Sequence, residues 1–206
     1  TVLLSLRVTG LGTATTRTLA AICSVVVVVL ALTRMWRLVA TVQGVVPLVG
    51  AARRDATLMA FARPAAITQF ALVALAFGCL AASFLLSDFS VANVAQNSFS
   101  ALPAPYKLAA SWGSHEGSLL LWALMLGGWS CAVALRSKNL PAPMLARVLA
   151  VMGLVAVGFL LFLLLTSNPF ERLVPAAAEG RDLNPLLQDP GMVLHPPLLY
   201  MGYVGF

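Results

Sequence analysis

Apolar positions in this chain fall in long uninterrupted blocks, and block length is the first decisive feature. A transmembrane helix needs about 20 predominantly apolar residues. Ile67–Leu86, Ser118–Leu135 and Val148–Thr166 approach or meet that length without one acidic or basic side chain. Each is expected to cross a bilayer. A further apolar run opens at Pro197 and stops at Phe206, roughly halfway across a bilayer. Carbonyls left unpaired in lipid are costly, so the expectation is a truncated chain. The N-terminal pattern leaves two readings. Leu19–Leu32 is apolar, Arg34 and Arg37 follow at once, and a second apolar stretch covers Leu38–Gly50. One helix over both stretches would carry arginines near mid-membrane at about 2.5–3.5 kcal/mol each. Either the first stretch is a short separate segment, or the span is centred on residues 38–50 with some upstream residues. The pattern predicts an all-α fold, a polytopic integral membrane helical bundle of about four to five transmembrane segments. It forms a single domain over residues 1–206, with 1–40 set apart and polar external loops at 87–117 and 167–196.

Composition agrees. The 206 residues are 60% hydrophobic and 10% charged, against about 25% charged in a soluble domain. The net charge of +6 comes from Lys and Arg placed between apolar blocks, with no basic run interleaved with aromatics, so nucleic acid is excluded as a partner and the lipid bilayer is the medium. Cys23, Cys79 and Cys131 each lie in an apolar stretch without C-x-x-C pairing; they are packing residues rather than disulfides or zinc ligands.

Loop charge sets orientation. Residues 51–64 hold three Arg against one Asp, and residues 136–147 two Arg and one Lys with no acid. Residues 87–117 hold Lys107 against Asp88 and Glu116, and residues 167–196 hold two Arg against four acids. The positive-inside rule places the first pair of connections in the cytoplasm and the second pair outside. His115 and His195 then both lie on the external, periplasm-like side.

Two stretches carry candidate chemistry. In "ASWGSHEGSLLLW", residues 110–122, the steps between Trp112, His115, Leu119, Trp122, Leu126 and Trp129 are 3, 4, 3, 4 and 3. A helix begun near Trp112 would align all of them on one face. An aromatic belt with ordinary packing explains that stripe by itself, and Gly113 and Gly117 would let another helix approach closely. His115 and Glu116 add what packing does not need, since ionisable groups at a membrane edge pair or mark a site. The second stretch, "EGRDLNPLLQDPGMVLHPPLLY", covers residues 179–200 and is braced by Pro190, Pro196 and Pro197. Its lone His195 stands where the chain re-enters the membrane. A neutral imidazole there can hydrogen-bond a carbonyl, shuttle a proton, or ligate a metal such as heme iron. A structural histidine is the ordinary alternative. No Gly-rich phosphate loop, H-E-x-x-H or G-x-S-x-G motif is present.

"WGSHEGSLLLW" (112–122), "RVLAVMGLVAVGFLLFLLLTSNPFERL" (147–173) and "EGRDLNPLLQDPGMVLHPPLLYMGYVGF" (179–206) resemble the CcmF/CycK/NrfE family of cytochrome c-type biogenesis proteins. "GAARRDATLMAFARP" (50–64) and "SDFSVANVAQNS" (87–98) are similar to it too. The resemblance covers residues 44–206, at the N-terminal third of the family's large membrane subunit. It implies a subunit of the system I cytochrome c heme lyase in the bacterial inner membrane. Such a subunit receives heme from a periplasmic heme chaperone and works with a thiol-handling subunit to join heme vinyls to the thiols of apocytochrome c. It also implies a b-type heme that reduces the transient heme substrate, with quinol as a further candidate partner. His195 matches, by position in "HPPLLY", the family's first external heme-ligand histidine, so His195 is the expected axial ligand to heme iron. Trp112, His115 and Glu116 are expected in supporting roles, lining the heme or quinone side or ordering the external loop. The family's tryptophan-rich segment and its other heme ligands would fall after Phe206, and the expectation for this chain alone is no lyase activity. A proton- or solute-translocating subunit is the alternative, weakened because transporters place ionisable groups near the midplane and the three spans have none; a structural scaffold is another.

Overall fold

The computed structural model describes residues 40–205; the expectations for Leu19–Leu32, Arg34, Arg37 and Cys23 lie outside them. The chain enters through a π-helical turn, Ala40–Val45, that runs into α1, Val46–Arg53. Arg54 then takes a left-handed conformation, φ 56°, which stops the helix and returns its N–H to the carbonyl of Gly50. Asp55 restarts the chain: its side chain accepts from the amides of Thr57 and Leu58 and caps the short α2, Ala56–Ala60.

Three long helices follow. They are α3 (Ala62–Leu85), α6 (His115–Arg136) and α7 (Ala142–Leu165), and each is long and apolar enough to cross a membrane. Each starts earlier than its apolar run, at Ala62, His115 and Ala142 in place of Ile67, Ser118 and Val148. The first turn of each tolerates charge, since it lies at the interface, so hydropathy alone clips it. Between α3 and α6 lie two short helices, α4 (Ala92–Asn97) and α5 (Ala104–Ala110). After α7, an irregular stretch reaches a 3-10 turn, Pro185–Gln188, and then α8, Pro190–Gly205.

α3 packs chiefly on α6, α6 on α7 and α8, and α7 on α1. Two apolar cores result. Ala62, Ala66, Ala134, Leu145, Ala146 and Leu149 close the end where the basic connections lie. The small side chains let α3, α6 and α7 come close together there. At the other end, Leu80, Phe84, Leu120 and Leu163 are covered by Val91, Val94, Phe170 and Leu183 from the acidic connections. Among the described residues the extended pairing is a single antiparallel bridge, Val91 with Arg172, and the fold is otherwise helical. Cys79 and Cys131 are free thiols.

Candidate functional site

The site is built around the start of α6. Ser114 is the N-cap, its Oγ accepting from the Gly117 amide at 3.0 Å. His115 and Glu116 therefore occupy the first helical turn, with the acid where the helix dipole favours it. Their presence is explained by a helix terminus. Trp112 lies before the cap, in a turn closed by its own amide on the Ala109 carbonyl at 3.1 Å. Ser118 Oγ donates back to the Trp112 carbonyl at 2.6 Å. The expected stripe beginning at Trp112 is thus corrected: the helix starts at His115, because Ser114 captures the amide the extra turn would need. The expected role of the glycines changes too. A methyl on Gly117 would collide with the Ser111 carbonyl, and one on Gly113 with Leu187 of the 3-10 turn. They serve the close turn and the polar layer rather than helix-on-helix packing.

His115 is exposed and turned toward α7. Its Nδ1 lies 3.3 Å from Ser167 Oγ, and its ring meets Phe162 edge-on, centroids 6.3 Å apart. Below it, Leu119, Val155, Gly158, Phe159 and Phe162 line an open apolar groove of about 460 Å³. Trp122, lower on α6, sits between helices. Phe159 of α7 lies 4.5 Å from it on one side and Tyr200 of α8 6.0 Å on the other. Packing accounts for Trp122.

His195 stands in α8. Asp189 starts that helix, accepting through Oδ1 from Gly191 at 2.8 Å and Met192 at 3.2 Å. Within the expected external loop, residues from Pro190 onward are helical, His195 among them. Trp112 Nε1 donates to the Val193 carbonyl at 3.1 Å, and Tyr200 meets Trp122. His195 is exposed beside the exposed Met192 and Leu199. It thus belongs to an open apolar face bearing one imidazole.

The acidic connections form an ordered layer above the helices. Arg172 pairs with Asp88 at 3.3 Å and also donates to Ser90 Oγ. Ala92 donates to the Glu171 carbonyl and Leu173 to that of Ser90, each at 2.8 Å. Glu179 accepts from the Ser100 amide and hydroxyl and from the Gly180 amide. Those amide and hydroxyl donors, Gly180 first, hold its carboxyl below the usual glutamate range, and Lys107 adds to the effect. Buried Lys107 reaches Ser87 Oγ at 2.7 Å and the Ser100 carbonyl at 2.9 Å.

Of the four sequence candidates, Trp112 and His195 are joined through α8, whereas His115 faces α7. Glu116 is half-buried in the first turn of α6, and no hydrogen bond to its carboxylate occurs among the described residues. Sequence reasoning missed Ser167, Phe159, Phe162 and Tyr200, whose partners lie on other helices and leave no local signal.

Residues 112–206 match the model of the cytochrome C assembly protein family. The chain is 65% identical over 168 residues to the cytochrome c-type biogenesis protein CcmF of Pseudomonas aeruginosa, covering 81% of this chain and 26% of that one. It is 57% identical over 169 residues to CcmF of Escherichia coli K12, covering 82% and 26%. It is 55% identical over 167 residues to CycK of Rhizobium meliloti, covering 81% and 25%. It spans about a quarter of the length of these relatives. A solved structure, "Cytochrome c Heme Lyase CcmF", superposes with TM-score 0.72 at 25% identity, covering 87% of this chain and 28% of that one.

Proposed function

Since this chain belongs to the CcmF family of cytochrome c-type biogenesis proteins, a family of multi-pass helical membrane proteins, we propose that it serves cytochrome c maturation by holding heme at its acidic end, with His195 as an axial ligand. The observation that carries this reading is the placement of His195 on the open face of α8, between exposed Met192 and Leu199. One imidazole on an apolar surface suits an iron held in a flat apolar macrocycle. Heme bound there would offer its vinyl groups to the thiols of an apocytochrome. The chain's own part is to hold and orient the macrocycle. α8 is capped by Asp189 and held by Trp122 of α6 and by Trp112 of the turn before it, which keeps the imidazole in one place.

His115 has a different part. Its ring lies against Ser167 and Phe162, so it orders the top of α6 against α7. No hydrogen bond or ring contact joins it to His195 among the described residues. We place the chain in the bacterial inner membrane with both histidines toward the periplasm, from the basic connections at the opposite end. A heme chaperone, a thiol-handling subunit and apocytochrome c would then meet the acidic layer, and quinol with a b-type heme would supply electrons.

The test is functional. This chain is exchanged for the matching stretch of the Pseudomonas aeruginosa relative, and holocytochrome c is scored by heme-stained gels. The chimera is expected to mature cytochrome c and His195→Ala within it to abolish maturation. Full maturation by the His195→Ala chimera would contradict the reading.

A further inference from the structure

Pro197 leaves a carbonyl without its normal donor, and Trp112 supplies one. In an α-helix the amide of residue i donates to the carbonyl of residue i−4. The carbonyl that position 197 should satisfy is that of Val193, and proline has no N–H to give. The pyrrolidine ring also crowds that carbonyl. Trp112 Nε1 lies 3.1 Å from this oxygen. Pro196 removes the neighbouring rung as well, since it cannot donate to Met192. Two successive rungs are therefore missing from the turn that carries His195, and its tilt is set from outside the helix.

We infer that Trp112 is a positioning residue: its indole N–H replaces the amide that Pro197 lacks and so fixes the direction of the His195 imidazole. The backbone that carries the donor is itself anchored. The Trp112 and Gly113 amides donate to the Ala109 and Ala110 carbonyls at 3.1 and 3.0 Å, and Ser118 Oγ donates to the Trp112 carbonyl at 2.6 Å. His195 falls between the acceptor and the proline, so a change in tilt of this turn swings the ring. The anchor stands on geometry alone; its consequence for a ligand rests on the heme reading above.

The test uses the sequence's own repair. Trp112→Phe keeps the ring's bulk and removes the N–H, whereas Pro197→Ala restores an amide within reach of the Val193 carbonyl. Hydrogen exchange over residues 190–205 is measured in detergent for the chain, both single variants and the double variant. Trp112→Phe is expected to exchange about fivefold faster, the loss of one hydrogen bond, and the double variant to return to the Pro197→Ala level. Unchanged exchange in Trp112→Phe, or a double variant as fast as Trp112→Phe, overturns the inference. The second outcome would mean that the indole acts by packing. The heme spectrum of the same variants in the chimera is expected to shift with Trp112→Phe and to recover in the double variant. A restored exchange rate without any spectral change in Trp112→Phe would overturn the positioning of His195. A spectrum insensitive to His195→Gly would instead sink the heme reading and leave the exchange result standing.

Discussion

Trp122 of α6 and Tyr200 of α8 lie nearly parallel, their rings 13° apart and 6.0 Å between centroids. The indole also meets Phe159 of α7 at 4.5 Å, so one side chain joins three helices. Trp122→Ala is expected to lower stability by about 3–5 kcal/mol and to loosen α8 in limited proteolysis. Trp122→Phe should lose less than half of that. An alanine variant as resistant as the parent would show that α8 is held elsewhere.

At the basic end, Arg63 donates to the Ala134 carbonyl at 2.6 Å and to that of Ser137 at 2.9 Å. These are C-terminal carbonyls of α6 with no donor of their own in the helix, and the planar guanidinium reaches both. Arg63→Met should cost about 1.5–3 kcal/mol in detergent unfolding. Arg63→Lys should recover part of it, since a point charge matches the paired acceptors less well. Equal stability of all three would contradict the cap.

How much of this was legible in the sequence follows from the range of each interaction. The three spans were legible because a run of apolar residues is a local property, and their ends were clipped because Arg63, Glu116 and Arg147 sit in helical turns that hydropathy scores as loop. Ser114 was also local, yet the 3-and-4 spacing through Trp112 masked it: that spacing continues into a turn that only resembles helix. The link from Trp112 to Val193 crosses 81 residues, and that from His115 to Ser167 crosses 52. No periodicity reports such pairs. The helical setting of His195 was hidden by Pro196 and Pro197, which ordinarily break helices.

Glu179 gives the acidic layer a pH dependence. Its carboxyl is lowered in the folded chain by the amides of Gly180 and Ser100 and the Ser100 hydroxyl. The folded state therefore binds the proton less readily than the unfolded one. The stabilisation is complete above the ordinary glutamate value, about 4.3, and is lost as pH falls through the lowered folded value. Protease cleavage between residues 87 and 114 should rise on acidification below about pH 4. Glu179→Gln should flatten that rise and cleave faster at neutral pH. An identical acid profile for the variant would remove Glu179 from the account.

The central claim is that His195 presents its imidazole to heme iron from the open face of α8. The most direct measurement is the visible spectrum of the purified chimera carrying His195→Gly, recorded without and with imidazole in the buffer. Heme content should fall at least tenfold and return with imidazole, which fills the vacated axial position, while His115→Ala keeps its heme and spectrum. Unchanged heme content and spectrum in His195→Gly would contradict the claim.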